Sequence, residues 1–178
     1  MTTIAFDGFN LAADGNRYIG DTLRADPVDK ILEGYFADGR AFIAAFAGDM
    51  TMAKLYYDYL LFDLKAEELT KFFNRTCHKF PDWAADDMNC MVFYLESDGT
   101  LVSRCRHGDA LSLVLPRSKY AIGSGADYAM GAMACGNSAT MAVGVAHGLC
   151  PYTGVARMNV RVVERLKAMR PTEYVATV

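Results

Sequence analysis

A threonine directly behind an initiator methionine is a latent nucleophile. The chain opens Met1-Thr2-Thr3-Ile4. Methionine aminopeptidases generally remove Met when the next side chain is small, so Thr2 is expected to become the first residue. A first-residue threonine carries a free α-amine beside its own hydroxyl, which pairs an attacking oxygen with a base. Such a device needs a cation that holds the amine's pKa down, a carboxylate that orients the cation, and a backbone N–H that meets the developing oxyanion. An unperturbed α-amine titrates at about 7.7–8.0, so a small downward shift leaves it largely neutral near pH 7. For these parts the chain offers Asp14, Lys30 and the run Gly123-Ser124-Gly125. Taken singly, Thr2 says little, Asp14 and Lys30 read as solvated strand-end charges, and Ser124 reads as a turn hydroxyl. Their value lies in joint placement.

That placement depends on the elements around them. Residues 4–6 and 10–13 read as two short strands around Asp7-Gly8. "KILEGYF" and "RAFIAAFAG" read as two more, flanking Ala37-Asp38-Gly39; the second is nearly all apolar, as in a strand covered on both faces. Met52, Leu55, Tyr56, Tyr59 and Leu60 recur at three- and four-residue spacing, which predicts an amphipathic helix over 50–64. A second helix is expected over 66–74 and a loop over 81–87. The tyrosines at 56, 57 and 59 are expected in core and subunit contacts. "MVFYLE" and "LVSRCR" form a hairpin pattern around Ser97-Asp98-Gly99-Thr100, and "YAIGS" leads into the helical "GADYAMGAMACG". Asn137 or Ser138 is placed to N-cap another helix ending near Leu149. "MNVRVVERL" is expected to close the fold as a strand, with 171–178 a fraying tail. Clustered strands and clustered helices argue against a βαβ repeat and fit antiparallel sheets with helices packed outside.

Composition narrows the partners. With 178 residues, 52% of them apolar and 22% charged, the chain is expected to form one globular domain over 1–178. A net charge of −3 without a Lys/Arg run argues against nucleic acid. No apolar stretch approaches the roughly 20 residues that span a bilayer, which argues against a membrane. No signal-peptide pattern opens the chain, so cytoplasm is the default. Five widely spaced cysteines without a CxxC favour reduced, buried thiols, Cys150 included. His78, His107 and His147 lack HExxH spacing, which argues against structural zinc.

Four blocks in order carry a resemblance. "TTIAFDGFNLAADG", "VDKILEGYFADGRAFIAAFAG", "YAIGSGADYAMGAM" and "CPYTG" resemble segments of the proteasome β-subunit superfamily of N-terminal-nucleophile (Ntn) hydrolases, most like its bacterial HslV peptidase branch. The resemblance covers Thr2 to about Thr153. It implies an α+β Ntn-hydrolase fold, a four-layer αββα sandwich of two antiparallel sheets covered by helices. It implies a threonine peptidase in which Thr2 forms an acyl-ester, Lys30 depresses the amine's pKa, Asp14 orients Lys30 at the family's spacing, and Ser124 hydrogen-bonds near the amine and its water. The oxyanion donor is expected at Ala45, where the family's "A-G-F-A-G" run has glycine. Around "HGLCPYTG" the resemblance implies a sodium-like ion held by backbone carbonyls; Cys150 and Thr153 match, and His147 stands where glycine is usual. No cofactor is required for the chemistry. Polypeptide substrates, a homo-oligomeric double ring and an AAA+ ATPase unfoldase are the implied partners. An inactive ring-forming homologue and a small-molecule amidase are the competing expectations.

Overall fold

The computed structural model describes residues 2–19, 22–24, 28–48, 53–54, 56–57, 89–107, 110–114 and 118–169. The expected tail at 171–178, the helix at 66–74 and the loop at 81–87 lie outside the described residues.

Residue alternation builds two facing sheets. Strands β1 (Thr3–Phe6) and β2 (Asn10–Asp14) form the first hairpin, with Ile4 opposite Ala13. Strand β10 (Tyr120–Gly123) pairs with the free side of β1, and β11 (Ala156–Arg161) pairs with β2. The result is a four-stranded antiparallel sheet in the order β10-β1-β2-β11. Strands β5 (Ile31–Tyr35), β6 (Ala41–Ala47), β7 (Asn89–Leu95), β8 (Leu101–His107) and β9 (Ala110–Val114) form a five-stranded antiparallel meander. Strands β3 (Arg17–Ile19) and β4 (Thr22–Arg24) form a separate two-stranded pair among the described residues.

Because successive side chains in a strand point to opposite faces, each strand of the four-stranded sheet serves two layers. Ile4, Phe6, Leu11 and Ala13 face the five-stranded sheet, where they meet Ile43, Ala45, Met91 and Phe93. The Phe6 and Phe93 rings sit 4.7 Å apart at the centre, and burial of each such side chain contributes roughly 1.5–3 kcal/mol. Ala5 and Ala12 face the other way, against helices α1 (Ala126–Ala134) and α2 (Ala139–Leu149). Small side chains on both surfaces (Ala129, Ala132, Ala142, Ala146) let these helices lie close to the sheet.

Ser138 is the N-cap of α2, accepting from the Met141 amide at 3.4 Å. Asp7 ties the β1–β2 turn to the same helix. Its carboxylate accepts from the amides of Phe9, Asn10 and Ala139 at 3.0, 2.8 and 2.9 Å. Burial pushes the Asp7 carboxyl up, but these bonds outweigh it and hold the group below the usual carboxylate range.

Two expectations are corrected. "MNVRVVERL" is not one strand: β11 ends at Arg161 and helix α3 (Val162–Ala168) follows. Val162 and Leu166, four apart on one helix face, are both buried in the central cluster. The four-layer αββα sandwich is also not what the described residues form. They give helices, sheet, sheet. On the outer face of the five-stranded sheet only Ala53, Lys54, Tyr56 and Tyr57 are described as helical. Tyr56 packs on Phe46 and Tyr57 on Phe42, and the Tyr57 hydroxyl donates to the Glu33 carbonyl at 2.7 Å. Tyr56 is buried in the core, as expected, and Tyr57 is half-buried. Most of the helix expected over 50–64, Tyr59 included, lies outside the described residues.

Candidate active site

The site lies where β1 begins, β2 ends and β5 is about to start. Asp14, the last residue of β2, is fully buried, and Lys30, one residue before β5, is 2% exposed. The Lys30 ammonium donates to Asp14 Oδ1 at 2.8 Å. The same oxygen accepts the Thr3 amide at 2.9 Å. Lys30 and the peptide that follows Thr2 therefore lie within two hydrogen-bond lengths of each other. Asp14 Oδ2 accepts from the Gly154 amide at 2.8 Å and from the Asn16 amide at 3.3 Å. Both carboxylate oxygens are satisfied, as a buried charge requires. Burial lowers the Lys30 ammonium below its ordinary value, while the charge and hydrogen bond of Asp14 pull it part of the way back.

Strand pairing holds Thr2 and Thr3 in place. Thr2 is 5% exposed and Thr3 fully buried. The Ser124 hydroxyl donates to the Thr2 carbonyl at 3.2 Å. Gly123, with φ +94°, leaves room for that carbonyl; a Cβ there would press on it and stand 3.4 Å from the Ala47 methyl. The Thr3 hydroxyl accepts the Gly125 amide at 3.1 Å and shares a 2.6 Å bond with the Thr153 hydroxyl. Asp14, Lys30, Ser124 and Thr153 thus surround the Thr2-Thr3 segment from four separate stretches of chain.

Ala45 does not join them. It sits in mid-strand, fully buried, opposite Ile31 on one side and Met91 on the other. Amides alternate sides along an antiparallel strand. The Phe46 amide donates to the Lys30 carbonyl at 3.0 Å, so the Ala45 amide points the opposite way, into the β6–β7 ladder. A candidate donor that sequence reasoning missed is Gly48. It follows the end of β6, is exposed, and has φ +113°. Alternation turns its amide to the Lys30 side, where β5 offers no residue in register opposite it. Its neighbour Ala47 is the one that stands beside the Gly123 and Thr2 backbones. A glycine directly after an all-apolar strand was the available signal.

The 150–154 turn contributes more than expected. The Cys150 amide closes α2 on the Ala146 carbonyl at 2.8 Å, and the Thr153 amide donates to the Cys150 carbonyl at 3.1 Å. His147 Nδ1 lies 2.7 Å from the Thr153 carbonyl. Of the three positions expected to hold a sodium-like ion through backbone carbonyls, His147, Cys150 and Thr153, the last two each have a carbonyl that already accepts one protein N–H. Burial raises the Cys150 thiol, but hydrogen bonds with the Thr153 and Ser124 hydroxyls and with the Tyr152 and Thr153 backbone outweigh it, leaving the thiol below its ordinary value. Cys105, by contrast, is pushed up to about 11 by burial. None of Cys90, Cys105, Cys135 and Cys150 is in a disulfide. Among the described residues no group of three or more His, Cys, Asp or Glu is placed to hold a metal, and no helix is long and apolar enough to cross a membrane.

This fold recurs in solved structures. The chain is similar to Anbu (ancestral beta-subunit) from Yersinia bercovieri, with a TM-score of 0.65 and 12% identity over 87% of this chain and 78% of that one. It is similar to the Anbu (Gly-1) mutant from Hyphomicrobium sp. strain MC1, with a TM-score of 0.63 and 10% identity over 94% and 92%. The helical assembly of the Anbu complex from Pseudomonas aeruginosa matches with a TM-score of 0.63 and 11% identity over 91% and 83%. No family model and no curated protein matches. The specific likeness to HslV is overturned: these neighbours are Anbu (ancestral beta-subunit) proteins, and at 10–12% identity they share the fold. The four sequence blocks cluster around Thr2, Asp14, Lys30, Ser124 and Thr153, where the site is built, and so do not separate one branch of this fold from another.

Proposed function

We propose that the protein is a threonine-type peptidase subunit of a proteasome-like homo-oligomer, active once Met1 has been removed. The observation that carries this reading is the single oxygen, Asp14 Oδ1, that receives both the Lys30 ammonium and the Thr3 amide. It fixes a positive charge beside the residue whose amine must act as base. In this reading the Thr2 hydroxyl attacks a peptide carbonyl, and its proton passes to the Thr2 amine. The Lys30 charge disfavours a second charge on that amine and keeps it basic but neutral. The Gly48 amide, exposed at the end of β6, meets the developing oxyanion. Collapse of the tetrahedral intermediate breaks the C–N bond, with the proton delivered to the leaving amine. Water, deprotonated by the Thr2 amine, then releases the acyl group from Thr2. Polypeptides are the proposed substrates and cytoplasm the proposed location. The Pseudomonas Anbu complex forms a helical assembly, so for this chain an open helix stands beside a closed double ring, with or without an AAA+ unfoldase.

The test is a peptide epoxyketone, which forms its stable ring only with both the hydroxyl and the amine of an N-terminal threonine. Chains that start at Thr2 are expected to carry one adduct on Thr2, and Thr2→Ala is expected to carry none while assembling normally. An adduct on Cys150, or none on a homogeneous Thr2 N-terminus, overturns the reading; the second result leaves the inactive assembly-forming homologue.

A further inference from the structure

His147 touches the turn beside the site, and the proposed mechanism has no use for it. It lies in the last turn of α2. A carbonyl oxygen can only accept, so at 2.7 Å from the Thr153 carbonyl the Nδ1 atom carries the proton, and Nε2 is the acceptor of the neutral ring. What this bond holds is the turn that carries two contacts to the site. The Thr153 hydroxyl meets Thr3 at 2.6 Å, and the next amide, Gly154, meets Asp14 Oδ2 at 2.8 Å. Thr153 is 2% exposed, so its carbonyl, left without a donor, would be a costly orphan. The Cys150 carbonyl has its own donor, the Thr153 amide.

We propose that His147 is a positioning residue: its Nδ1–H clamps the 150–154 turn from within, where a carbonyl-bound cation was expected, and so sets Thr153 on Thr3 and Gly154 on Asp14. The turn needs no ion. The catalytic consequence rests on the proposed function, but the clamp itself does not.

The chain bearing a free Thr2 is melted in sodium chloride and in choline chloride of equal ionic strength, as wild type, His147→Ala and His147→Asn. The asparagine amide can reach the carbonyl much as Nδ1 does. Wild type is expected to melt at the same temperature in both salts. His147→Ala is expected to melt about 2–4 °C lower, and His147→Asn to recover most of that loss. With the epoxyketone, His147→Ala is expected to slow the saturated labelling rate about tenfold with little change in half-saturation, and His147→Asn to restore it. Long-range ¹H–¹⁵N correlation of the imidazole, assigned by its loss in His147→Asn, is expected to show the Nδ1–H tautomer even if His147→Ala does not fold. Sodium raising the wild-type melting temperature well above choline overturns the clamp. So does an Nε2–H tautomer, or failure of His147→Asn to restore melting. If the wild type takes no label, the proposed function has failed, and the melting and tautomer results still decide the clamp.

Discussion

Asp14 Oδ1 is the point at which stability and chemistry meet. Lys30 and Asp14 are both buried, so removing one partner leaves an uncompensated charge, whereas the pair together was costly to desolvate. Lys30→Met is therefore expected to destabilise the fold by about 3–5 kcal/mol, and the double variant Asp14→Asn/Lys30→Met by less than the sum of the single changes, as urea unfolding would read. The pH dependence has a definite sign. Burial sets the folded Lys30 pKa below its ordinary value of 10.5, so between those two values the unfolded chain binds more protons. Unfolding free energy contributed by Lys30 then rises with pH across that window, and the gap between wild type and Lys30→Met is expected to widen toward pH 10. A gap that narrows there would contradict the burial argument. At this scale Thr2, Asp14, Lys30 and Ser124 were legible in the sequence because side-chain type and spacing describe them well. The oxyanion donor expected at Ala45 was less legible, because such a donor is a backbone amide. Which way an amide points depends on its register with β5 and β7, and no residue letter records that.

Elements whose pattern is local were legible, and those whose partner is remote were not. The β5–β6 and β7–β8 hairpins announce themselves through Gly39 and Gly99, both with positive φ at the turn. Helix α3 did not, because Val160, Val162 and Val163 match a strand and a helix almost equally until burial against the central cluster chooses. The β10–α1 junction shows how an element boundary can itself be a site component. A Cβ on Gly125 would stand 2.6 Å from the Thr153 hydroxyl and 3.0 Å from the Ala146 methyl, and would press on the Thr3 hydroxyl. Gly131, in the interior of α1, has nothing within 4 Å of the same atom. Gly125→Ala is expected to cost roughly 1–3 kcal/mol by overpacking. Gly131→Ala is expected to stabilise by about 1 kcal/mol through helix propensity. Thermal melts of the two variants should move in opposite directions. A Gly125→Ala chain as stable as wild type would mean that the Thr3–Thr153 hydroxyl pair is not tightly held.

At the scale of the whole molecule, the proposed chemistry makes activity a property of chain processing. The Thr2 amine can act as a base only if no peptide bond precedes it, and Asp14, Lys30 and Ser124 are already arranged around the Thr2-Thr3 segment. Processing therefore has only to free an amine in a site that is already built. The branch of the fold was not legible, because one fold hosts many assemblies and subunit contacts use outer surfaces where many side chains serve equally well. Assembly and chemistry should accordingly separate. Intact-mass spectrometry of the epoxyketone-treated protein is expected to show labelling equal to the fraction of chains that begin at Thr2, with every Met1-bearing chain unlabelled. Sedimentation of the two forms is expected to give the same oligomer, since in this reading Met1 removal serves to free the Thr2 amine. A labelled chain that still carries Met1 would show that the amine is not the base, and the role assigned to Lys30 would fall with it.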